Sequence, residues 1–138
     1  MEAIKNFDEK VIAYGASKGE PCLIEAIQKY YAEKGMNYEA GDIFITNGGS
    51  EALWMTMSTI LDDGDEIIVP EPYYPNYHTF VTLAGGKTCP IPTTPEAGDH
   101  YADRAKIDAL INEHTRAILK TTPGNPTGPA LTRTQTKT

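Results

Sequence analysis

Positive charge is scarce in this sequence. Twelve lysines and arginines stand against nineteen aspartates and glutamates, a formal charge of -7. Nucleic-acid partners call for basic patches, so none is expected, although a local site can still hold a small anion against the net field. Cysteine is nearly absent: Cys22 and Cys89 make neither a CxxC pair nor a disulfide framework. The three histidines, His78, His100 and His114, are too scattered for metal-ligand spacing, so no metal is expected. A reducing, cytoplasmic setting is the default. Long apolar runs are missing too. None approaches the roughly 20 residues of a membrane span, and the N-terminus carries no h-region, so no membrane association is expected. Neither a Walker loop nor a dinucleotide fingerprint occurs, since Gly48 and Gly49 are adjacent and no Gly-Lys-Ser/Thr follows.

What is present is one strong stretch, Ile43-Phe44-Ile45-Thr46-Asn47-Gly48-Gly49-Ser50-Glu51-Ala52-Leu53. Three apolar residues predict a short buried strand, and Asn47, Gly48 and Gly49 break it. From Ser50 on, Leu53, Met57, Ile60 and Leu61 recur at the spacing of a helix with one buried face. A strand running through a glycine turn into a helix makes an anion site. The first N–H groups have no intrahelical partner, the helix dipole is positive there, and glycine lets a phosphate come close. Ser50 can add a hydroxyl as N-cap or as a donor to phosphate. An ordinary strand-to-helix connection with a serine cap is the plainer reading of the same residues.

The other segments set this stretch in a pattern. From Pro21, the residues Leu23, Ile24, Ile27, Tyr30 and Tyr31 mark one face of a helix, and Gly35 stops it. Ile67-Ile68-Val69 is a buried strand closed by Pro70. Tyr77, Phe80, Val81 and Ala84 suit a short helix ending at Gly85-Gly86. Residues 87–91 predict another strand, followed by a loop through His100. Asp103 can cap a helix with Ile107, Leu110 and Ile111 on its buried side, and residues 117–119 form the last strand. Continuously apolar strands alternating with helices predict an α/β fold of three layers, α/β/α, with a mostly parallel sheet. A chain of 138 residues suits one domain, with 129–138 a loose tail. Ligands on such sheets collect at the carboxyl ends of the strands. The unusual loops at 46–50, 70–75 and 121–128 all follow strands.

Four motifs then stand in order: Tyr14-x4-Gly19, Thr46-Asn47-Gly48-Gly49-Ser50-Glu51-Ala52-Leu53, Glu71-Pro72-Tyr73-Tyr74-Pro75, and Pro123-Gly124-Asn125-Pro126-Thr127-Gly128. Their order and spacing resemble the large domain of the class I/II aminotransferases, fold-type I enzymes that use pyridoxal 5′-phosphate (PLP). The resemblance covers residues 14 to 128. It implies that Gly48, Gly49 and Ser50 hold the PLP phosphate and that Tyr74 stacks on the pyridine ring, with Tyr73 the alternative. It implies that Asn125 bonds the cofactor's phenolic oxygen and lies near the substrate carboxylate. Tyr14 would reach the phosphate in the neighbouring subunit, which implies a homodimer. The implied reaction moves an amino group from an amino acid to a 2-oxo acid, with the pyridine ring as electron sink.

The family's Schiff-base lysine, its pyridinium aspartate and its carboxylate-binding arginine fall after Asn-Pro-Thr-Gly, and this sequence stops ten residues past that motif. The chain is therefore expected to be part of a large domain, without the catalytic lysine and inactive alone. Lys120 follows the last strand, but nothing in the sequence puts its amine at the cofactor. The resemblance leaves room for another fold-type I PLP enzyme, a β-lyase or carbon–carbon synthase. It also leaves room for a non-catalytic PLP- or phosphate-binding or dimer-partner fragment. Ile24, where the family often has arginine, is expected only to pack its helix.

Overall fold

A computed structural model describes residues 2–8, 10–97 and 104–136. Asp103 and the end of the loop through His100 lie outside the described residues. The chain divides into two compact units, 1–48 and 49–138.

The first unit contains α1 (Glu2–Lys5), α2 (Pro21–Ala32) and a 3-10 turn (Ala40–Asp42). Proline in the first turn of α2 costs nothing, because that N–H has no helical partner. Past Ala32 the chain leaves the helix through Gly35. Only Ile24 of the predicted apolar face is buried, with Ile27 and Tyr31 half-buried. Leu23 and Tyr30 are exposed, contrary to the periodicity. Tyr31 instead packs edge-on against Tyr38 at 5.2 Å, and Gln28 donates from Nε2 to the Tyr38 carbonyl at 2.8 Å.

The predicted strand at 43–45 does not form, which corrects the sequence reading. Ile43 is extended (φ -110°, ψ 125°), but among the described residues no strand pairs with this segment, and Phe44 is exposed. A strand exists only as half of a ladder, so an extended apolar segment without a neighbour stays irregular. Its described backbone bond runs from the Ile45 N–H to the Lys18 carbonyl, 2.9 Å.

The second unit holds α3 (Gly49–Ile60), β1 (Glu66–Pro70), α4 (Asn76–Leu83), β2 (Lys87–Ile91), α5 (Arg104–Asp108), β3 (Thr115–Ile118) and α6 (Arg133–Thr136). Its sheet is parallel throughout, in the order β2-β1-β3, with Ile68 opposite Cys89 on one side and Ile118 on the other. The central strand is the most apolar, as a strand covered on both faces must be. Ile67 and Val69 point to one face, where they meet Met57 and Leu61 from the α3 side and Tyr77 and Val81 of α4. Ile68 points to the other, against Ile91 and Ile107 of α5. The alternation of one strand thus builds both inter-layer cores, and the three predicted layers are present in this unit.

Two predicted core positions are corrected: Ile60 and Ile111 are exposed. Their neighbours Leu61 and Leu110 pack on the core instead. Pro90 is tolerated within β2 because that strand lies at the edge of the sheet. At the start of β1 the Asp65 carboxylate is 4% exposed. It accepts Nη2 and Nε of Arg116 at 2.9 and 3.0 Å and the Asp62 N–H at 2.9 Å. Burial of that charge is tolerated only with a two-pronged cationic partner, which here ties β3 to β1.

Candidate functional site

The glycine turn leads into a helix as expected, but among the described residues no strand enters it and the helix starts one residue early. Gly48 takes φ +87°, where a side chain would be strained, and its carbonyl accepts the Thr46 hydroxyl at 2.9 Å. A Cβ added at Gly48 or Gly49 would meet nothing within 4 Å, so the backbone there stands open to an approaching group. Helix α3 begins at Gly49, one residue earlier than expected. Ser50 is therefore not the N-cap. It lies in the first turn, exposed, where its N–H and hydroxyl are both available to an anion at a twelve-residue helix. Glu51 follows in the same turn, a position that suits the helix dipole.

Gly19 supplies a reason that the motif alone did not. Its φ is +111°, and a Cβ there would lie 2.2 Å from Ile45 Cγ1. Only a glycine lets the chain at Lys18 come close enough to bond Ile45 and so brace the segment that enters the glycine turn. Tyr14, in the same unit, is fully exposed.

In the second unit the loops after β1 and β3 converge. A crevice at the carboxyl ends of these strands is lined by Val69, Pro70, Pro72, Tyr73, Tyr77, Leu119, Thr121, Gly124 and Asn125. This is where ligands of parallel sheets are expected. Its inner space is about 10 Å³, room for one water and too little for an aromatic ring, so a larger ligand would lie across its mouth. Asn125 and Tyr73 both line it, but Tyr74 is not among the lining residues. Tyr74 is half-buried nearby, edge-on to Tyr77 at 5.6 Å, with its hydroxyl accepting from Asn76 Nδ2 at 2.8 Å. Tyr73 stacks on Tyr77 at 6.4 Å. Lys120 is half-buried at the end of this region. From sequence Tyr77 is only a helix-face residue; in the structure its hydroxyl meets that of Thr121 at 2.7 Å. No sequence signal distinguishes it from a core tyrosine.

At the opposite end of the sheet, Glu66 accepts from Asn112 Nδ2 at 2.7 Å. That bond, helped by the Cys89 thiol, holds the Glu66 carboxyl below the usual carboxylate range. Burial pushes the Cys89 thiol up, and the Glu66 carboxylate adds to the effect. Among the described residues no group of histidines, cysteines and carboxylates could hold a metal ion. Among those residues, too, no helix is long and apolar enough to cross a membrane.

Residues 2–138 match the family "Aminotransferase class I and II". The chain belongs to that family. Aminotransferases of this family use pyridoxal phosphate and exchange amino groups between amino acids and 2-oxo acids. The chain is similar to the aspartate/prephenate aminotransferase of Thermus thermophilus, 35% identical over 92% of this chain and 34% of that protein. It is 40% identical to the glutamate-pyruvate aminotransferase AlaA of Haemophilus influenzae over 83% of this chain and 28% of the relative. Among solved structures it resembles the aspartate aminotransferase of Rhizobium meliloti, with a TM-score of 0.85 and 31% identity over 99% of this chain and 33% of that one. The chain thus spans about a third of the length of these aminotransferases.

Proposed function

We propose that this chain supplies the cofactor-cradling part of a PLP-dependent aminotransferase acting on an amino acid and a 2-oxo acid. The observation that carries the reading is the turn into α3: an open Gly48-Gly49 backbone followed by Ser50 in the first turn of a long helix. These three residues would hold the phosphate, through backbone N–H groups and the Ser50 hydroxyl. Tyr74 would cover one face of the pyridine ring, and Asn125 would donate to its phenolic oxygen beside the substrate carboxylate. When bound, the cofactor supplies an electron sink for the bond to the substrate's α-carbon. Tyr14, fully exposed, would reach the phosphate site of a second subunit, so the working form is a homodimer. A cytoplasmic setting suits that chemistry and the free cysteines. The relatives named above are aminotransferases rather than lyases or synthases, which favours amino-group transfer.

The test is a PLP titration of the full chain, followed by absorbance and fluorescence. Ser50→Ala should weaken binding about tenfold, the worth of one hydrogen bond to a charged group. Tyr74→Ala should weaken it by about the same factor, through lost stacking. Borohydride treatment should leave Lys120 unmodified. Binding unaffected by both substitutions would overturn the assignment of the cradle.

A further inference from the structure

Tyr77 contacts residues of both loops that meet at the crevice. It stands in the first turn of α4 and is only 9% exposed. Its ring stacks on Tyr73 and meets Tyr74 edge-on, and its N–H bonds the Tyr74 carbonyl at 3.0 Å. Its hydroxyl reaches out of this aromatic group to Thr121, 44 residues on, at 2.7 Å. Thr121 opens the loop that carries Gly124 and Asn125. Within that loop the Gly124 N–H bonds the Pro129 carbonyl, the Gly128 N–H the Gly124 carbonyl, and the Leu131 N–H Thr122 Oγ1.

We infer that the Tyr77–Thr121 hydroxyl pair is a strut that fixes the loop after β3 against the loop after β1, making Tyr77 a positioning residue for Asn125 and Tyr74. A phenol in this place has two jobs. The ring fills the core beneath β1, which a phenylalanine would do as well. The hydroxyl serves the second job alone, since a buried O–H is retained where it has a partner. The pair links two loops that follow separate strands, and a shift of a fraction of an ångström between such loops degrades a binding constellation. The inference rests on the proposed cofactor site for its purpose but not for its geometry.

The experiment is amide hydrogen exchange on the full chain without PLP, beside PLP titration. In Tyr77→Phe, the amides of Gly124, Gly128 and Leu131 should exchange about fivefold faster, the worth of one neutral hydrogen bond, while the amides of β1 keep their rates. Thr121→Val should do at least as much, because it strands the phenol, and Thr121→Ser should restore the wild-type pattern. The Tyr77→Phe/Thr121→Val double variant should exchange no faster than the worse single one. PLP affinity should fall by a similar factor in Tyr77→Phe. Unchanged loop exchange, or the same acceleration throughout β1, would overturn the strut. A wild-type chain that binds no PLP while its loop responds as described would overturn the proposed function and leave the strut standing. If one variant fails to fold, the Thr121→Val and Thr121→Ser pair decides the matter.

Discussion

The two units of this chain bury their apolar residues to very different extents. Residues 49–138 bury Met57, Leu61, Ile67, Ile68, Val69, Tyr77, Val81, Ile91 and Ile107. Residues 1–48 bury Ile24, while Ile4, Phe7, Val11, Ile12, Tyr14, Leu23, Tyr30, Met36, Tyr38 and Phe44 are exposed. The first unit is not short of apolar residues; what it lacks, among the described residues, is a ladder. In the second unit three parallel strands satisfy their backbones on one another and offer two flat faces for helices to cover. In the first, among the described residues the extended apolar segment at 43–45 finds no strand, so Ile43 and Ile45 are only half-buried and Phe44 is exposed.

The largest effect should fall on the ladder. Ile68→Ala removes a fully buried side chain from the centre of the sheet and should cost about 3–4 kcal/mol in chemical denaturation. Ile12→Ala, at an exposed position, should change it by less than about 0.5 kcal/mol. Equal effects would erase the contrast between the units.

A smaller effect is expected at Gly19, the close approach that gives the first unit its order. Gly19→Ala drives a methyl into Ile45 and forces a positive φ on alanine, a cost of about 2 kcal/mol. Exchange of the Ile45 amide should accelerate by more than tenfold, while the amides of β1 stay unchanged. An unaltered Ile45 amide would show that Lys18 and Ile45 are held by something else.

The smallest effect concerns the cysteines, one in each unit. Iodoacetamide should label exposed Cys22 well before half-buried Cys89, whose thiol is raised by burial and by Glu66. Glu66→Gln should speed Cys89 labelling slightly, leaving it slower than Cys22. Because the Glu66 carboxyl titrates lower in the folded chain, its stabilising contribution is complete above the ordinary carboxylate range. It fades as the pH falls through the folded value, so Glu66→Gln should flatten the acid limb of the melting curve.

Local patterns were legible wherever a short-range rule suffices. Pro21 and Gly35 bracket α2, Gly85-Gly86 ends α4, Ile67-Ile68-Val69 forms the central strand, and residues 87–91 form β2. Each depends on backbone preferences or on a run of neighbours that any partner would bury. The misread places depend on partners. Ile43-Phe44-Ile45 has the composition of a strand, but composition does not supply the second half of a ladder. Leu23, Ile60 and Ile111 fit a periodic face, but periodicity does not say how far the covering layer extends. Ser50 was placed within one residue; the exact start of a helix depends on whether Gly48 turns the chain into it, which φ +87° reveals.

The sequence by itself determined the parallel three-layer pattern, the glycine turn before a long helix and the order of four motifs, because each is written in residues close along the chain. The tertiary structure decided what lies across from what. Only it shows that Ile67 and Ile68 serve opposite cores and that Gly19 must lack a side chain because Ile45 lies over it. Only it brings a tyrosine after β1 to a threonine after β3. Those facts belong to pairs of residues separated by tens of positions, and a pair has no signature until the chain has folded to make it.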